Sequence, residues 1–133
     1  MTVTPYIMFN GNCEEALNFY AKALNGEIKG LQRFEGTPAE GMSADKEKVM
    51  HAQFSAAGLS FMASDGEQNE AVGGMVHLSL DFDDAREQVK VFDALSEGAR
   101  ITMPLQPTFW GATFGMLTDK FGVNWMFNHD QQP

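Results

Sequence analysis

The sequence predicts an α+β fold built from two βαβββ modules, at about residues 1–66 and 74–130 of a single domain spanning residues 1–133. Three observations predict this fold. An apolar strand followed by a capped amphipathic helix occurs near the N-terminus, and the same order returns after a polar break. Each half then continues with strand-like segments. The last segment of the first half, GLSFM at 58–62, is similar to the last segment of the second half, GVNWM at 122–126. A matching order of elements in both halves indicates an internal duplication.

The first module opens with an apolar segment and a helix that has recognisable end signals. Asn12 is predicted to cap the helix, Glu15 completes a capping-box pattern, and Gly26 is predicted to end the helix. A hairpin is predicted to turn near Ala57 and Gly58. The elements predicted in this module are a strand at 4–10, the helix at 12–26, a strand at 27–34, a polar surface loop at 35–48 and the hairpin at 49–64.

The second module repeats this order after the polar break at residues 65–74. Asp83 or Asp84 is predicted to cap its helix, and Gly98 is predicted to end it. The elements predicted here are a strand at 75–82, the helix at 83–98 and three strands that contain RITMPL, ATFGMLT and GVNWMFN.

Aligning the two helix-ending glycines places Leu17 on Val89 and Tyr20 on Phe92. The same spacing predicts that Val89, Phe92 and Leu95 form the apolar face of the second helix.

Composition and charge exclude several classes of function. Acidic residues outnumber basic ones by 18 to 9, so the net charge of −9 argues against nucleic acid and membrane partners. A neutral or cationic small molecule is easier to accommodate, although solubility alone also explains this charge. No apolar run approaches the roughly 20 residues that cross a bilayer, and we expect a cytoplasmic protein. The single cysteine, Cys13, forms no intrachain disulfide and is predicted to be a structural thiol.

Strand parity predicts where the methionines of the two similar segments point. Side chains alternate across a strand, so Met62 shares a face with Ser60 and Ser64 rather than with Phe61. A plain core position is the competing interpretation, since methionine readily fills gaps in a core. The polar neighbours instead predict that Met62, and Met126 by the same rule, line a half-polar cleft.

Parity also predicts the other side chains of this cleft. Pairing the hairpin about its turn sets Gln53 opposite Met62 and brings His51 to the same face. Such a mixture of imidazoles, amides, hydroxyls and thioethers suits an organic molecule with a few hydrogen-bonding groups. The predicted ligand-binding residues are His51, Gln53, Met62, His77, Trp110, Asn124 and Met126.

Individual roles stay open within this set. His51 and His77 are candidates for general acid or base catalysis, for simple hydrogen bonding, or for a non-standard metal site. Trp110 either stacks over the cleft or packs at its edge. Gly115 is predicted to face the cleft and leave room for a ligand.

Three long motifs carry a resemblance to a known superfamily. They are PYIMFNGNCEEALNFY (5–20), HAQFSAAGLSFMASD (51–65) and TFWGATFGMLTDKFGVNWM (108–126). With two βαβββ modules, the chain resembles the vicinal oxygen chelate superfamily of glyoxalase I, extradiol dioxygenases and bleomycin-resistance binders, and more closely its PhnB-like branch. Members of that branch are sometimes labelled 3-demethylubiquinone methyltransferases. The sequence has no glycine-rich strand-to-helix turn that would cradle S-adenosylmethionine, so we do not predict methyl transfer.

The resemblance implies an eight-stranded half-barrel with the site on its concave side. In metal-using relatives each module supplies two ligands, and the resemblance places these four positions at Pro5, Met62, Met75 and Met126. Proline offers a metal nothing, and a thioether is a poor ligand for hard or borderline ions. We therefore predict no metal and no other cofactor, with each of Met62 and Met126 in the place of a metal-binding carboxylate.

The predicted function is the binding of a small organic molecule, and the sequence leaves open whether a metal-independent reaction follows. Two alternatives remain, a metal-dependent lyase, isomerase or dioxygenase and a resistance protein that sequesters a cationic drug. The chain is predicted to form a homodimer, because exposed sheet edges invite pairing and the superfamily assembles this way.

Overall fold

A computed structural model describes residues 1–38, 40–42, 45–66 and 73–130. The chain divides into two compact units, Met1–Ala71 and Val72–Pro133. Parts of the predicted loop at 35–48 and of the predicted polar break at 65–74 lie outside the described residues.

The first unit contains one four-stranded sheet and one α-helix. The strands lie in the order β1-β4-β3-β2, with β1 parallel to β4 and the other neighbours antiparallel. A short 3-10 helix, Glu40–Met42, lies between β2 and β3. The elements are β1 (Tyr6–Phe9), α1 (Cys13–Leu24), β2 (Glu27–Arg33), β3 (Val49–Ala56) and β4 (Leu59–Asp65).

The second unit repeats this arrangement. Its strands lie in the order β5-β8-β7-β6, and again the first strand is parallel to the last while the others are antiparallel. The two βαβββ modules predicted from the sequence are therefore confirmed. The elements are β5 (Leu78–Asp81), α2 (Ala85–Leu95), β6 (Arg100–Pro107), β7 (Ala112–Thr118) and β8 (Asn124–Asp130).

Helix α1 begins where the sequence predicts, but a distant residue supplies its cap. Asn12 occupies the N-cap position without a side-chain capping hydrogen bond. The carboxylate of Asp65, at the end of β4, instead accepts from the backbone N–H of Cys13 at 2.8 Å and from that of Val49 at 2.9 Å. Asp65 thus satisfies one of the free donors at the helix start and ties α1, β3 and β4 together.

The end of α1 also differs from the prediction. Asn25 rather than Gly26 adopts the left-handed conformation, with φ of 53°. Gly26 is required for packing, because a Cβ atom there would lie 2.5 Å from Cζ of Phe54 and 2.8 Å from the carbonyl oxygen of Ser55.

Helix α2 is capped locally, as predicted for Asp84, whose side chain accepts from the backbone N–H of Arg86 at 2.9 Å. The predicted apolar face was wrong at Val89, which is 48% exposed. The buried residues of α1 are Cys13, Ala16, Leu17 and Tyr20, and those of α2 are Gln88, Val91, Phe92 and Leu95.

The two buried sets have identical spacing, so Leu17 corresponds to Phe92 and not to Val89. The earlier alignment failed because the helix-ending glycines are not equivalent. Gly98 lies beyond the end of α2 with φ of 70°, whereas Gly26 has no positive φ.

Each unit has its own aromatic core between helix and sheet. In the first unit, Phe54 and Phe61 stack with centroids 5.0 Å apart, and both rings contact Tyr20 of α1 edge to face. In the second unit, Phe92 of α2 meets Phe127 of β8 with centroids 4.9 Å apart. Burial of these rings fixes which face of each sheet turns towards its helix.

Two further predictions are corrected in the second unit. Strand β5 begins at Leu78, so Met75 lies outside it and is 94% exposed. Gly115 faces α2 rather than the opposite side, because a Cβ atom there would lie 3.1 Å from Cε2 of Phe92 and 3.0 Å from Cδ2 of Leu105. Its missing side chain lets the helix approach the sheet and leaves no room for a ligand.

Candidate functional site

The predicted site residues of the first unit lie on the face of its sheet that turns away from α1. Phe54 and Phe61 point towards the helix, where both contact Tyr20. Because side chains alternate along a strand, Gln53 and Met62 point to the opposite side. We call this side the first helix-free face.

A row of side chains crosses the first helix-free face from strand to strand. Backbone pairing sets Tyr6 beside Met62, Met62 beside Gln53, and Gln53 beside Lys29. The predicted position of Gln53 opposite Met62 is thus confirmed. The half-buried thioether of Met62 therefore has a phenol and an amide as its direct strand neighbours, and both can donate hydrogen bonds, while the ammonium group of Lys29 lies one strand beyond Gln53.

His51 forms a pair with Tyr6, a residue that the sequence reasoning missed. The hydroxyl oxygen of Tyr6 lies 3.5 Å from Nδ1 of His51, and the two ring centroids are 5.9 Å apart. The sequence holds a weak signal for this pair, since Tyr6 follows Pro5, one of the four positions implied by the resemblance. Only the parallel pairing of β1 with β4 reveals that Tyr6 lies beside Met62.

The second unit places Met126 on the corresponding face of its own sheet. Phe127 points towards α2, where it contacts Phe92, so Met126 points to the opposite side, the second helix-free face. Its neighbours are Ser79 on β5 and Met116 on β7.

Three methionines on neighbouring strands form what we call the methionine row. Met126 pairs with Met116, and Met116 pairs with Met103 on β6. All three are half-buried. The sequence reasoning missed Met116 and Met103, because it fixed no register for β6 and β7.

Asn124 and His77 lie near the start of β8 and β5. The amide nitrogen of Asn124 donates to the carbonyl oxygens of Gly73 at 2.8 Å and Val76 at 3.0 Å, and its oxygen accepts from Thr118 at 2.7 Å. The side chain of Asn124 therefore holds the segment that leads into β5. The half-buried His77 follows that segment directly.

Trp110 lies in the connection between β6 and β7 and is 54% exposed. Its ring contacts that of Phe109 with centroids 5.0 Å apart and that of Phe114 with centroids 5.8 Å apart. Phe114 pairs with Asn128, two residues from Met126 on β8, so Trp110 adjoins the second helix-free face through Phe114. Both ring contacts are edge to face, and the role of Trp110 towards a ligand stays a prediction.

The residues at the metal-ligand positions do not fit a divalent ion. Met62 pairs with Tyr6 and Met126 pairs with Ser79, so the residue equivalent to Pro5 is Leu78 and not Met75. Because side chains alternate along a strand, Pro5 and Leu78 also turn to the side opposite Met62 and Met126. Neither proline nor leucine has a donor atom, and a thioether does not suit the hard or borderline ions. Across the described ranges, no three His, Cys, Asp or Glu side chains are grouped to hold a metal ion.

A polar cavity of about 600 Å³ also lies in the first unit, around the start of α1. Its two basic side chains, Arg33 and Lys48, are both engaged in hydrogen bonds within the unit. Arg33 donates two hydrogen bonds to Glu14 at 3.0 and 2.9 Å, which lower the pKa of that carboxyl, and Lys48 donates to the carbonyl oxygen of Gly11 at 2.6 Å. The predicted site residues do not line this cavity.

Cys13 is buried beside this cavity. Burial, followed by the charges of Asp65 and Glu14, raises the pKa of its thiol to about 12. The thiolate that a nucleophile requires is therefore disfavoured, and a structural role fits the geometry.

The fold defines the class of protein to which the chain belongs. It is similar to a glyoxylase/bleomycin resistance protein/dioxygenase domain from Frankia sp. EAN1pec, at a TM-score of 0.66 and 14% identity over 97% of this chain and 94% of that one. It is also similar to the fosfomycin resistance protein FosX from Listeria monocytogenes, at a TM-score of 0.68 and 12% identity over 98% and 93% of the two chains. The chain thus has the vicinal oxygen chelate fold.

Within that superfamily, residues 1–127 match the family described as 3-demethylubiquinone-9 3-methyltransferase, and the chain belongs to this PhnB-like family. It is 34% identical to Protein YjdN from Escherichia coli (strain K12), over 100% of this chain and 99% of YjdN. Among solved structures it is similar to protein PA1353 from Pseudomonas aeruginosa, with 41% identity, a TM-score of 0.85 and 99% of both chains covered. A PhnB protein from Bacillus cereus, titled a putative 3-demethylubiquinone-9 3-methyltransferase, matches with 30% identity, a TM-score of 0.82 and coverage of 97% and 99%.

The described strands do not form the parallel sheet on which glycine-rich nucleotide-binding turns are built. The connection from β1 to α1 is Asn10-Gly11-Asn12, with a single glycine. No helix of the part of the chain that the structure describes is long and apolar enough to cross a membrane.

Proposed function

We propose that the chain binds a small organic molecule at its helix-free faces and needs no divalent metal to do so. The observation that carries this proposal is the half-buried methionine at the equivalent position of each sheet, Met62 and Met126, with hydrogen-bonding groups or further methionines beside it. Thioethers give a soft apolar floor that adapts to the shape of a ligand.

The other predicted site residues contribute either by contacting the ligand or by holding a residue that contacts it. His51 and Gln53, with Tyr6 beside them, orient the hydrogen-bonding groups of the ligand on the first face. On the second face, Trp110 supplies an aromatic edge and His77 a hydrogen-bonding imidazole. Asn124 contributes indirectly, since its side chain holds the backbone that leads to His77.

Methyl-resolved NMR tests the binding proposal. The chain contains nine methionines, and methyl-¹³C labelling makes each a separate probe. We expect neutral and cationic aromatic fragments to shift the methyl signals of Met62 or Met126, and to leave that of the highly exposed Met75 unchanged. Fragments that shift only methyl groups distant from both faces would contradict the proposal.

A matched pair of variants locates the site. Met62→Lys places a charge on the first helix-free face, whereas Val89→Lys places the same charge on the exposed side of α2. We expect Met62→Lys to weaken fragment binding at least about tenfold and Val89→Lys to leave it unchanged. Circular dichroism of both variants separates loss of binding from loss of fold, and equal binding by both folded variants would count against the proposed face.

Elemental analysis addresses the metal-dependent alternative. Because Pro5, Leu78, Met62 and Met126 supply no anionic or imidazole ligand, we expect no stoichiometric Ni, Zn, Mn or Fe in the purified protein. One transition metal per chain, lost on chelation together with ligand binding, would favour a metal-dependent enzyme instead.

Assembly and domain organisation stay predictions with simple tests. We propose a homodimer in the cytoplasm, and light scattering that gives the mass of one 14.7 kDa chain at micromolar concentration would contradict the dimer. The single domain spanning residues 1–133 predicts one cooperative unfolding transition rather than two.

A further inference from the structure

The methionine row of the second unit brings three thioether sulfurs to neighbouring strands. Met103, Met116 and Met126 are joined by direct backbone pairing across β6, β7 and β8. Directly paired residues in a sheet have Cβ atoms about 4.5–5.5 Å apart. Methionine has three rotatable bonds, so sulfurs from the two outer strands can reach towards the central one.

Local irregularities in β6 bring the third methionine into this row. The register between β6 and β7 shifts on both sides of Met103, between Ile101 and Met103 and again between Met103 and Gln106. Bulges of this kind re-aim side chains at positions where a regular strand would not place them. Here they leave Met103 as the partner of Met116.

The surroundings of the methionine row favour a cation. Along the same face, the next pair beyond Ser79 and Met126 is Asp81 and Asn128, about 7 Å further along the strands. The amide nitrogen of Asn128 donates to carboxylates of both Asp81, at 3.1 Å, and Asp130, at 3.2 Å, so two negative charges meet at Asn128, further along the same face. The chain as a whole carries a net charge of −9.

We propose that Met103, Met116 and Met126 bind a soft monovalent cation of the Cu(I) or Ag(I) class. Thioether sulfur is a soft ligand that selects Cu(I) over hard and borderline divalent ions. The thioether group, which does not suit a divalent ion at Met62 and Met126, therefore suits an ion of softer chemistry. This site lies on one sheet of one unit and does not depend on the binding of an organic molecule.

The first unit provides an internal comparison. Met62 occupies the position equivalent to Met126, but its strand neighbours are Tyr6 and Gln53 rather than further methionines. A single thioether forms no chelate, so Met62 lacks what the proposal requires.

Titration with Ag(I) in chloride-free buffer, observed through methyl-¹³C methionine, tests the site. We expect the signals of Met103, Met116 and Met126 to shift together and to saturate at one equivalent, while that of Met62 stays in place. Zn(II) at the same concentration should shift none of the three. A signal from each residue also separates this site from binding at Cys13, which a parallel titration of Cys13→Ala checks directly.

The central residue offers the decisive variant. Met116→Leu conserves volume, which cores and faces of sheets tolerate well, and should weaken Ag(I) binding at least about tenfold. Met62→Leu, the matched control, should bind Ag(I) as the parent protein does. Equal binding by Met116→Leu and the parent, or a shift of Met62 in step with the other three signals, would overturn the proposal. If Met116→Leu unfolds, the titration of the parent decides alone, because the three signals either shift together or do not.

Discussion

The two units share one strand arrangement and secure the start of their helices in different ways. In the second unit, Asp84 caps α2 from the neighbouring position in sequence. In the first, Asp65 reaches the start of α1 from the far end of β4 and also holds the start of β3. The same topology therefore leaves the local cap optional, provided that a buried acceptor satisfies the exposed backbone donors.

The helix-free faces differ as well. The row through Met62 continues into Tyr6, Gln53 and Lys29, whereas the row through Met126 continues into Met116 and Met103. Duplication thus preserved the backbone pairing while the two faces acquired different chemistry, hydrogen-bonding in one unit and rich in sulfur in the other.

The largest effect is expected at the distant cap. Asp65→Ala leaves the backbone N–H groups of Cys13 and Val49 without their acceptor, and each costs roughly 2 kcal/mol when buried. We expect a loss of about 4 kcal/mol in the free energy of unfolding, measured by urea denaturation. Asp84→Ala is the matched control, and loss of this local cap should cost only about 1 kcal/mol. Equal losses would remove the distinction between the two caps.

The next effect concerns the glycine that permits close packing in each unit. Gly26→Ala sets a Cβ atom 2.8 Å from backbone, whereas in Gly115→Ala the nearest neighbours lie at 3.0 and 3.1 Å. We expect a cost of about 3 kcal/mol for the first variant and about 1 kcal/mol for the second. Gly74→Ala, with nothing within 4 Å, should be nearly neutral. Thermal and urea unfolding of the three variants measures this order, and a reversed order would contradict the described packing.

An effect that is smaller for each pH unit depends on pH and belongs to the first unit alone. The pKa of Cys13, raised to about 12 mainly by burial, exceeds the ordinary value of 9.0 that the thiol has in an unfolded chain. Between pH 9 and pH 12 the folded state therefore keeps its thiol proton where the unfolded state loses it. The contribution of this proton to the free energy of unfolding is fully present below pH 9 and is lost as pH rises towards 12. The slope for one group approaches about 1.4 kcal/mol per pH unit. Cys13→Ala should lose stability less steeply above pH 9, and parallel curves would show that the thiol is not responsible.

The smallest effect is expected at the two equivalent methionines. Met62→Leu and Met126→Leu conserve volume, and because both sites are half-buried, each should change the free energy of unfolding by less than about 1 kcal/mol. Denaturant titration measures both. A loss above about 2 kcal/mol at either position would place that methionine in a tightly packed core rather than on an adaptable face.

Local sequence signals predicted most of the fold. They failed where a contact with a residue distant in sequence determines the local structure. The presence of the two helices, the hairpin at Ala57 and Gly58 and the order of the elements along the chain depend on neighbours in sequence, and they were predicted correctly. The cap by Asp65 depends on the end of β4, which no pattern around Asn12 reveals. The alignment at Val89 failed for a related reason, since it assumed that both glycines end their helices in the same conformation.

The candidate site shows the same limit. Parity placed Met62 and Gln53 correctly, because a hairpin fixes its own register. Tyr6 was missed because β1 pairs with β4 across α1, β2 and β3, and no short turn sets that register. Met116 was missed although the short connection at 119–123 joins β7 to β8, because no register was predicted for this hairpin. Gly115 was assigned to the wrong side of β7, because only the position of α2 shows which side of the strand Gly115 faces.

The parallel pairing of the first with the last strand of each unit has a consequence for how a nascent chain folds. Tyr6 leaves the ribosome early, yet its sheet partner Met62 is synthesised only after α1, β2 and β3. The β3–β4 hairpin pairs locally and forms quickly, so the closing of β1 onto β4 is the slow, non-local step. Because the partners of β1 to β4 all belong to the first unit, its sheet can be complete before β5 to β8 emerge. The edge of β4 that waits for β1 is thus unprotected only while the first half of the chain is being made.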